Sequence, residues 1–164
     1  MQLGYDAKGN LTSITPPGRE PHWFFYDPAN RAIRYQPPNT TPALADPRTF
    51  YQYHLSGELA RITRPDGQSI FYDYDLETGE LIAEVLPTGQ RRFFYEDLSG
   101  NLERITYPGG ELTYGYDGPL LTSETWSGSV TGTVSRTYDS SFRVVTQSVN
   151  GITDRDGKVT SIER

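Results

Sequence analysis

The run Tyr95-Glu96-Asp97-Leu98-Ser99-Gly100-Asn101-Leu102-Glu103-Arg104-Ile105-Thr106-Tyr107-Pro108-Gly109-Gly110-Glu111-Leu112-Thr113-Tyr114-Gly115 decides the fold. It contains two turn signals. In Asp97-x-x-Gly100 an aspartate can bond its own backbone two residues on, and a glycine supplies positive φ. In Pro108-Gly109-Gly110 proline fixes φ and glycine closes the bend. The segments between the turns have strand length and are rich in Ile, Thr, Leu, Tyr and Phe. Proline and glycine fall in the turns and almost never in the strands. The run predicts one β-hairpin.

The same frame, Y-D-x-x-G-x-L-x-x-I-T-x-P-x-G, recurs along the chain. Its anchor tyrosines are Tyr5, Tyr26, Tyr53, Tyr74, Tyr95, Tyr116 and Tyr138, separated by 21, 27, 21, 21, 21 and 22 residues. An aspartate follows at Asp6, Asp27, Asp75, Asp117 and Asp139, and the turn glycine stands at Gly9, Gly57, Gly79 and Gly100. A fixed period in this range marks a repeat architecture. The expectation is an all-β chain, an array of antiparallel hairpins with one hairpin per repeat of about 21 residues, forming a curved open sheet. The whole of residues 1–164 reads as one array, with units starting near residues 5, 26, 53, 74, 95, 116 and 138 and a partial unit near 154.

The strand entering each anchor carries aromatic residues two apart: Phe24/Tyr26, Tyr51/Tyr53, Tyr72/Tyr74, Phe93/Tyr95 and Tyr114/Tyr116. Such residues share a face, so successive hairpins would stack them into a ladder. The second strand does not fit so simply. Leu11/Ile14, Leu59/Ile62 and Leu102/Ile105 are three apart and lie on opposite faces unless a bulge intervenes.

The repeat breaks in three places. An insertion at Pro37-Pro38-Asn39-Thr40-Thr41-Pro42-Ala43-Leu44-Ala45-Asp46-Pro47 reads as a surface loop, with a binding loop as the alternative. The unit from Tyr116 is degenerate, with Trp126-Ser127-Gly128 placed at its second turn. Asp154-Arg155-Asp156-Gly157-Lys158 looks like an eighth opening in which Asp154 takes the tyrosine position. Neither end reads as a cap, and repeat arrays need caps; the expectation is a segment of a larger protein.

The 164 residues include 21 acidic and 15 basic side chains, a net charge of −6, which argues against nucleic-acid binding through a basic patch. Hydrophobic content is 35%, low for a thick core, whereas aromatics reach 13% with 12 tyrosines. That balance suits a wall with an aromatic ladder. There is no cysteine, hence no disulfide and no thiolate metal site. No apolar run approaches membrane length and no signal peptide is recognisable.

Chemistry is sparse. The two histidines, His22 and His54, lie in different repeats and read as strand or turn residues. No nucleophile–base constellation, phosphate loop or dinucleotide glycine pattern occurs. Asp73/Asp75 and Asp154/Asp156 could each chelate a cation, but Asp154-x-Asp156-Gly157 lacks the third ligand of a calcium loop. No catalytic residue, metal or cofactor is assigned. Asn10-Leu11-Thr12 and Asn39-Thr40-Thr41 match the glycosylation pattern, which matters only in a eukaryotic secretory pathway.

The Tyr-Asp pairs at 5/6, 26/27, 74/75, 116/117 and 138/139, in their near-constant frame, resemble the YD repeat of the Rhs family, shared with teneurins and insecticidal toxin complexes. The resemblance covers nearly the whole chain. It implies hairpins joined side by side into a sheet that spirals into a hollow shell, enclosing a toxin domain in bacterial members and serving as an adhesion scaffold in teneurins. The family's core-terminating Asp-Pro-x-Gly segment and toxin domain are absent, so self-cleavage is not expected. About eight hairpins are too few to close a shell.

The resemblance thus implies a structural shell segment, not an enzyme, secreted or at the cell surface as part of a larger bacterial protein. Its partners would be neighbouring repeats of the parent or an enclosed toxin domain. Unpaired terminal strands could also template an edge-to-edge homodimer or a strand swap. The alternative is a carbohydrate-binding module using exposed tyrosines. Buried tyrosines would favour the wall and exposed ones the glycan. A propeller built from two units per blade fits the fixed period less well.

Overall fold

A computed structural model describes residues 1–38, 46–150 and the strand at 152–154. The core of the insertion, the sequon at Asn39, and the proposed eighth opening beyond Asp154 lie outside the described residues. Every regular element among those described is a strand, and the strands follow one another in the sheet in chain order. The chain divides into two compact units, Met1–Tyr74 with Glu84–Thr88, and Asp75–Ala83 with Gly89–Arg164.

The first unit holds β1 (Gln2–Tyr5), β2 (Leu11–Thr15), β3 (His22–Tyr26), β4 (Ala32–Gln36), β5 (Thr49–Tyr53), β6 (Leu59–Thr63) and β7 (Ser69–Tyr74). Each pairs antiparallel with the next. Strand β8 (Leu81–Leu86) contributes residues to both units. The second unit continues with β9 (Gly89–Tyr95), β10 (Leu102–Tyr107), β11 (Gly110–Asp117), β12 (Leu120–Gly128), β13 (Gly132–Tyr138), β14 (Val144–Val149) and β15 (Ile152–Asp154), again paired antiparallel in order.

The spacing of Leu and Ile finds its answer in a recurrent bulge. Tyr5 faces Leu11 while Gly4 faces Ser13, so Thr12 is an extra residue. The same shift recurs beside Tyr26, Tyr53, Tyr95, Tyr116 and Tyr138, with Ile33, Ala60, Glu103, Thr122 and Val145 as the extra residues. One added residue returns the residue three positions on to the starting face. Leu11 and Ile14 therefore join Tyr5 and Leu3 on one side of the sheet, here called the anchor face.

The sequence misplaced one turn. Trp126, Ser127 and Gly128 belong to β12, not to a turn, and the chain reverses after them, since Trp126 pairs with Gly132. A glycine is needed at 132 because a Cβ there would collide with the Trp126 indole. Ala83, 6% exposed, is the one buried hydrophobic residue among those described. Apolar burial is therefore spread along the strands as half-buried side chains instead of gathered in a core.

Candidate functional site

The repeated turn and its tyrosine are the features that every hairpin builds, and the structure positions them with two sets of hydrogen bonds. The first lies inside the turn. Asp6 accepts from the backbone amides of Lys8 and Asn10 through one oxygen, both at 2.9 Å. Asp27 does the same with Ala29 and Arg31, Asp75 with Glu77 and Thr78, and Asp139 with Ser141 and Arg143. These donors stabilise the carboxylate, so all four groups are held below the usual aspartate range. The largest cause is the Asn10 side-chain amide for Asp6, the Arg31 amide for Asp27, the Thr78 amide for Asp75 and the Arg143 amide for Asp139.

The turn also needs a left-handed residue. Gly9, Gly57, Gly79 and Gly100 fill that position with φ of 87°, 114°, 76° and 69°. Asn30 fills it in the second hairpin, and Phe142 fills it after Asp139 at φ 61°. A phenylalanine there carries a steric cost that glycine does not. Asp117 sits differently. It ends β11 opposite Leu120, in a shorter reversal through Gly118.

The second set links hairpins. Tyr26 donates its hydroxyl to the Leu11 carbonyl at 2.9 Å, and Tyr53 to the Ala32 carbonyl at 2.7 Å. Tyr95 donates to Leu81, Tyr116 to Leu102 and Tyr138 to Leu121, at 3.0, 3.0 and 2.7 Å. For Tyr26, Tyr53, Tyr116 and Tyr138 the acceptor is the residue at the bulge of the preceding hairpin. There the ladder with the next strand has ended; between β2 and β3, for example, it pairs only Ser13 and Ile14. The tyrosine thus takes a carbonyl that the bulge leaves outside the ladder. These anchors are half-buried, whereas Tyr5 on β1 is 59% exposed. Burial raises the hydroxyl pKa of Tyr53, Tyr74, Tyr95 and Tyr116 above the ordinary tyrosine value. Turns also bond to turns: Asn10 donates to Asn30 at 3.0 Å, and Arg31 lies 4.7 Å from the ring centre of Tyr53.

The two faces differ in chemistry. On the face opposite the anchors, guanidinium groups cover phenylalanines: Arg34 over Phe25, Arg61 over Phe71 and Arg104 over Phe94, at 3.5, 5.1 and 4.2 Å. Along β11 to β14 that face changes to Thr113, Ser123, Thr125, Thr133, Ser135, Thr137, Thr146 and Ser148, several bonded hydroxyl to hydroxyl across strands.

Among the departures from the repeat on the anchor face, which include Gln147 at the isoleucine position of β14, two build a local feature, and periodicity alone did not flag either. The leucine position of the repeat is Ala32 in the second hairpin, and the isoleucine position is Tyr35. An open concavity of about 610 Å³ lies there, lined by Ile14, His22, Phe24, Ala32, Tyr35 and Tyr51 among others. His22 sits 2.6 Å from the Tyr35 hydroxyl through Nδ1. The other departure is Glu124, which takes the isoleucine position and pairs with Arg136 at 3.0 Å. A sequence comparison of each hairpin against the frame, position by position, would have found both.

His54 occupies the aspartate position after Tyr53. Its Nε2 lies 3.3 Å from the Tyr72 carbonyl, and its ring stands edge-on to Tyr74. Asp73 lies on the strand and Asp75 in the turn. No group of three or more His, Cys, Asp or Glu side chains is placed to hold a metal ion among the described residues. Asp156 lies outside them.

The sequence matches the teneurin YD-shell family over residues 1–162. Among solved structures, the Photorhabdus luminescens Tc holotoxin pore with a TccC3 substitution matches with a TM-score of 0.69 at 18% identity, over 92% of this chain and 9% of that one. TcdB2-TccC3 without its hypervariable C-terminal region matches with a TM-score of 0.68 at 17% identity, over 93% and 9%. TcdB2-TccC3-Cdc42 matches at 0.63 and 21%, over 85% and 9%. At these identities the likeness is one of fold. The chain spans about a tenth of the length of these proteins. No curated protein sequence matches the chain at a significant level.

Proposed function

The chain belongs to the teneurin YD-shell family, and on that premise we propose that it is a structural segment of a shell wall that encloses or scaffolds a toxin or adhesion domain. The observation that carries this reading is the tyrosine-to-bulge hydrogen bond. It recurs from hairpin to hairpin and uses the anchor hydroxyls to join repeats. A wall needs such a joint at every step, since an isolated hairpin is marginal in water. We propose that the partners are further YD repeats of the same parent and the domain it encloses, and that the parent is secreted or displayed at a cell surface. We assign no enzymatic role to the segment; the family is a structural one.

The glycan reading has less support. A sugar-binding tyrosine needs its ring face open and its hydroxyl free, and five anchors commit the hydroxyl to a neighbour's backbone. The deciding experiment is the intact mass of the native protein from its source, with peptide coverage beyond both ends of this segment. A parent several times heavier, carrying more Tyr-Asp repeats, is expected. A native chain of this length alone would overturn the shell reading.

A further inference from the structure

Arg34, Arg61 and Arg104 hold one position of the repeat, the residue before the isoleucine position, and each covers a phenylalanine on the face opposite the anchors. Their charges are met differently. Arg104 reaches the Glu111 carboxylate at 3.9 Å. Arg48, over the Phe50 ring at 5.2 Å, pairs with Asp46 at 2.6 Å. Among the described residues no carboxylate pairs with Arg34 or Arg61. Arg61 donates to a neutral acceptor, the Ser69 hydroxyl, at 3.0 and 2.9 Å. The Arg34 Nε is shut off from solvent and has no acceptor. Asp46 feels the Arg34 charge, but both its oxygens are bonded to Arg48.

The register gathers these groups on one face of the first unit. Phe25 pairs with Arg34, Arg34 with Phe50, and Arg61 with both Gln52 and Phe71. Trp23 and Phe71 on that face are each 42% exposed. Asp73, two residues beyond Phe71, also falls on it, yet no ion pair joins it to Arg61 among the described residues. In a chain of net charge −6, β3 to β7 thus present two uncompensated guanidinium groups between open aromatic rings.

We infer that this face is a docking surface for an acidic segment of another polypeptide, one that carries aromatic side chains among its carboxylates. Each guanidinium has one plane against a ring and terminal N–H groups left to meet a carboxylate. Arg48 shows the arrangement within the chain, with Nε on one Asp46 oxygen and a terminal nitrogen on the other, each at 2.6 Å. Enclosure of the Arg34 Nε strips part of the hydration from its charge, which strengthens the attraction for an incoming carboxylate. Trp23 and Phe71 supply apolar area beside the charges, and aromatic residues and arginine are the usual anchors of protein interfaces. A nucleic acid fits less well, because the chain as a whole is acidic and repels a polyphosphate.

The test is an NMR titration of the chain with a synthetic peptide of alternating Glu and Trp, with Gln/Trp and Glu/Ser peptides of equal length as controls. Shifts are expected at the Trp23 indole N–H and at the Arg34 and Arg61 Nε–H signals. Arg34→Gln/Arg61→Gln should weaken binding roughly tenfold or more, and both control peptides should bind as weakly. Asp46→Asn frees Arg48 and leaves Arg34 and Arg61 in place. It should bind the Glu/Trp peptide more tightly, a gain that misfolding would not produce. Undiminished binding by the double variant, no gain in Asp46→Asn, or shifts confined to the Tyr35 and Tyr51 rings of the anchor face would overturn the inference. So would equal binding of the Gln/Trp peptide, which would make the face merely apolar, and so would tighter binding of an oligothymidylate, which would make the partner a nucleic acid.

Discussion

Tyr95 donates its hydroxyl across one hairpin to the carbonyl of Leu81, 3.0 Å away. That carbonyl belongs to the residue at the start of the turn-proximal strand, where a bulge recurs in most hairpins. The bond therefore couples a side chain in one repeat to the backbone of the repeat before it. Removing only the hydroxyl, in Tyr95→Phe, should cost about 1 kcal/mol, the usual net value of one hydrogen bond with a partly buried acceptor left unpaired. Removing the half-buried ring, in Tyr95→Ala or Tyr74→Ala, should cost about 2–3 kcal/mol. Urea denaturation measures both. A loss below about half a kcal/mol for the alanine variants would mean that the rings contribute nothing to the joint.

Acid should weaken the array through its turns. Asp6, Asp27, Asp75 and Asp139 have carboxyls below their ordinary pKa because amides donate to the ionised form, the Asn10 side chain first for Asp6 and backbone groups first for the others. A depressed folded pKa gives stability that is present above the unfolded value, about 3.9, and lost as pH falls through the folded value. The denaturation midpoint is expected to hold above about pH 5 and to fall below pH 4. The tyrosines work at the other end. Burial raises the pKa of Tyr53, Tyr74, Tyr95 and Tyr116, so the stability they lend is complete below about pH 10 and lost as pH rises further. A midpoint that is flat from pH 3 to 11 would refute both linkages.

Phe142 takes the left-handed turn position that glycine holds in four other turns, and it remains 71% exposed. Phe142→Gly should raise stability by about 1 kcal/mol, the relief of left-handed strain set against the added freedom of the unfolded chain. Gly79→Ala should act in the opposite sense by a similar amount. Thermal melts of the two variants would test the pair together.

Ala32 stands where six other hairpins carry leucine or valine, and the concavity beside Phe24 and Tyr51 opens there. Ala32→Leu should stabilise by about 1 kcal/mol if the added carbons lie against Ile14 and Phe24. A loss of stability would show that the hollow is already closed by the neighbouring rings.

Glu124 and Arg136 replace apolar residues on the anchor face, with side chains 31% and 21% exposed. Either single alanine substitution should cost more than the double replacement Glu124→Ile/Arg136→Phe, because a lone charge is left beside Tyr114 and Val134. A double-mutant cycle by urea denaturation separates the cases. Additive losses would mean that the pair does not interact.

Strand β1 pairs with β2 on one side, and no partner occupies its other side among the described residues. Such an edge templates a further strand. Light scattering at rising concentration is expected to detect edge-to-edge association, and a monomer at all concentrations would count against it.

The tyrosine period and the two turn signals carried the fold in full view, because turn chemistry and strand length are local properties. The bulge was half legible. The three-residue step from Leu59 to Ile62 demanded either a bulge or a face change, but only pairing with Tyr53 and Gln52 decides between them. The destinations of the tyrosine hydroxyls were not legible, since they depend on where a neighbouring strand's ladder stops. Trp126 was misread because β12 is longer than its counterparts, and its tryptophan needs the space that Gly132 provides. Ala32 and Glu124 were visible as letters, yet they carry meaning only once the register shows which face they occupy.

The identity of strand order and chain order has a kinetic consequence. Each strand pairs with its neighbour in the chain, and apart from the insertion between β4 and β5 only short turns separate the partners, so little chain must be closed into loops before the sheet gains its first contacts. Assembly can proceed like a zip, each new hairpin docking its tyrosine on a bulge already in place. A chain built this way can add to its wall while its later repeats are still being synthesised.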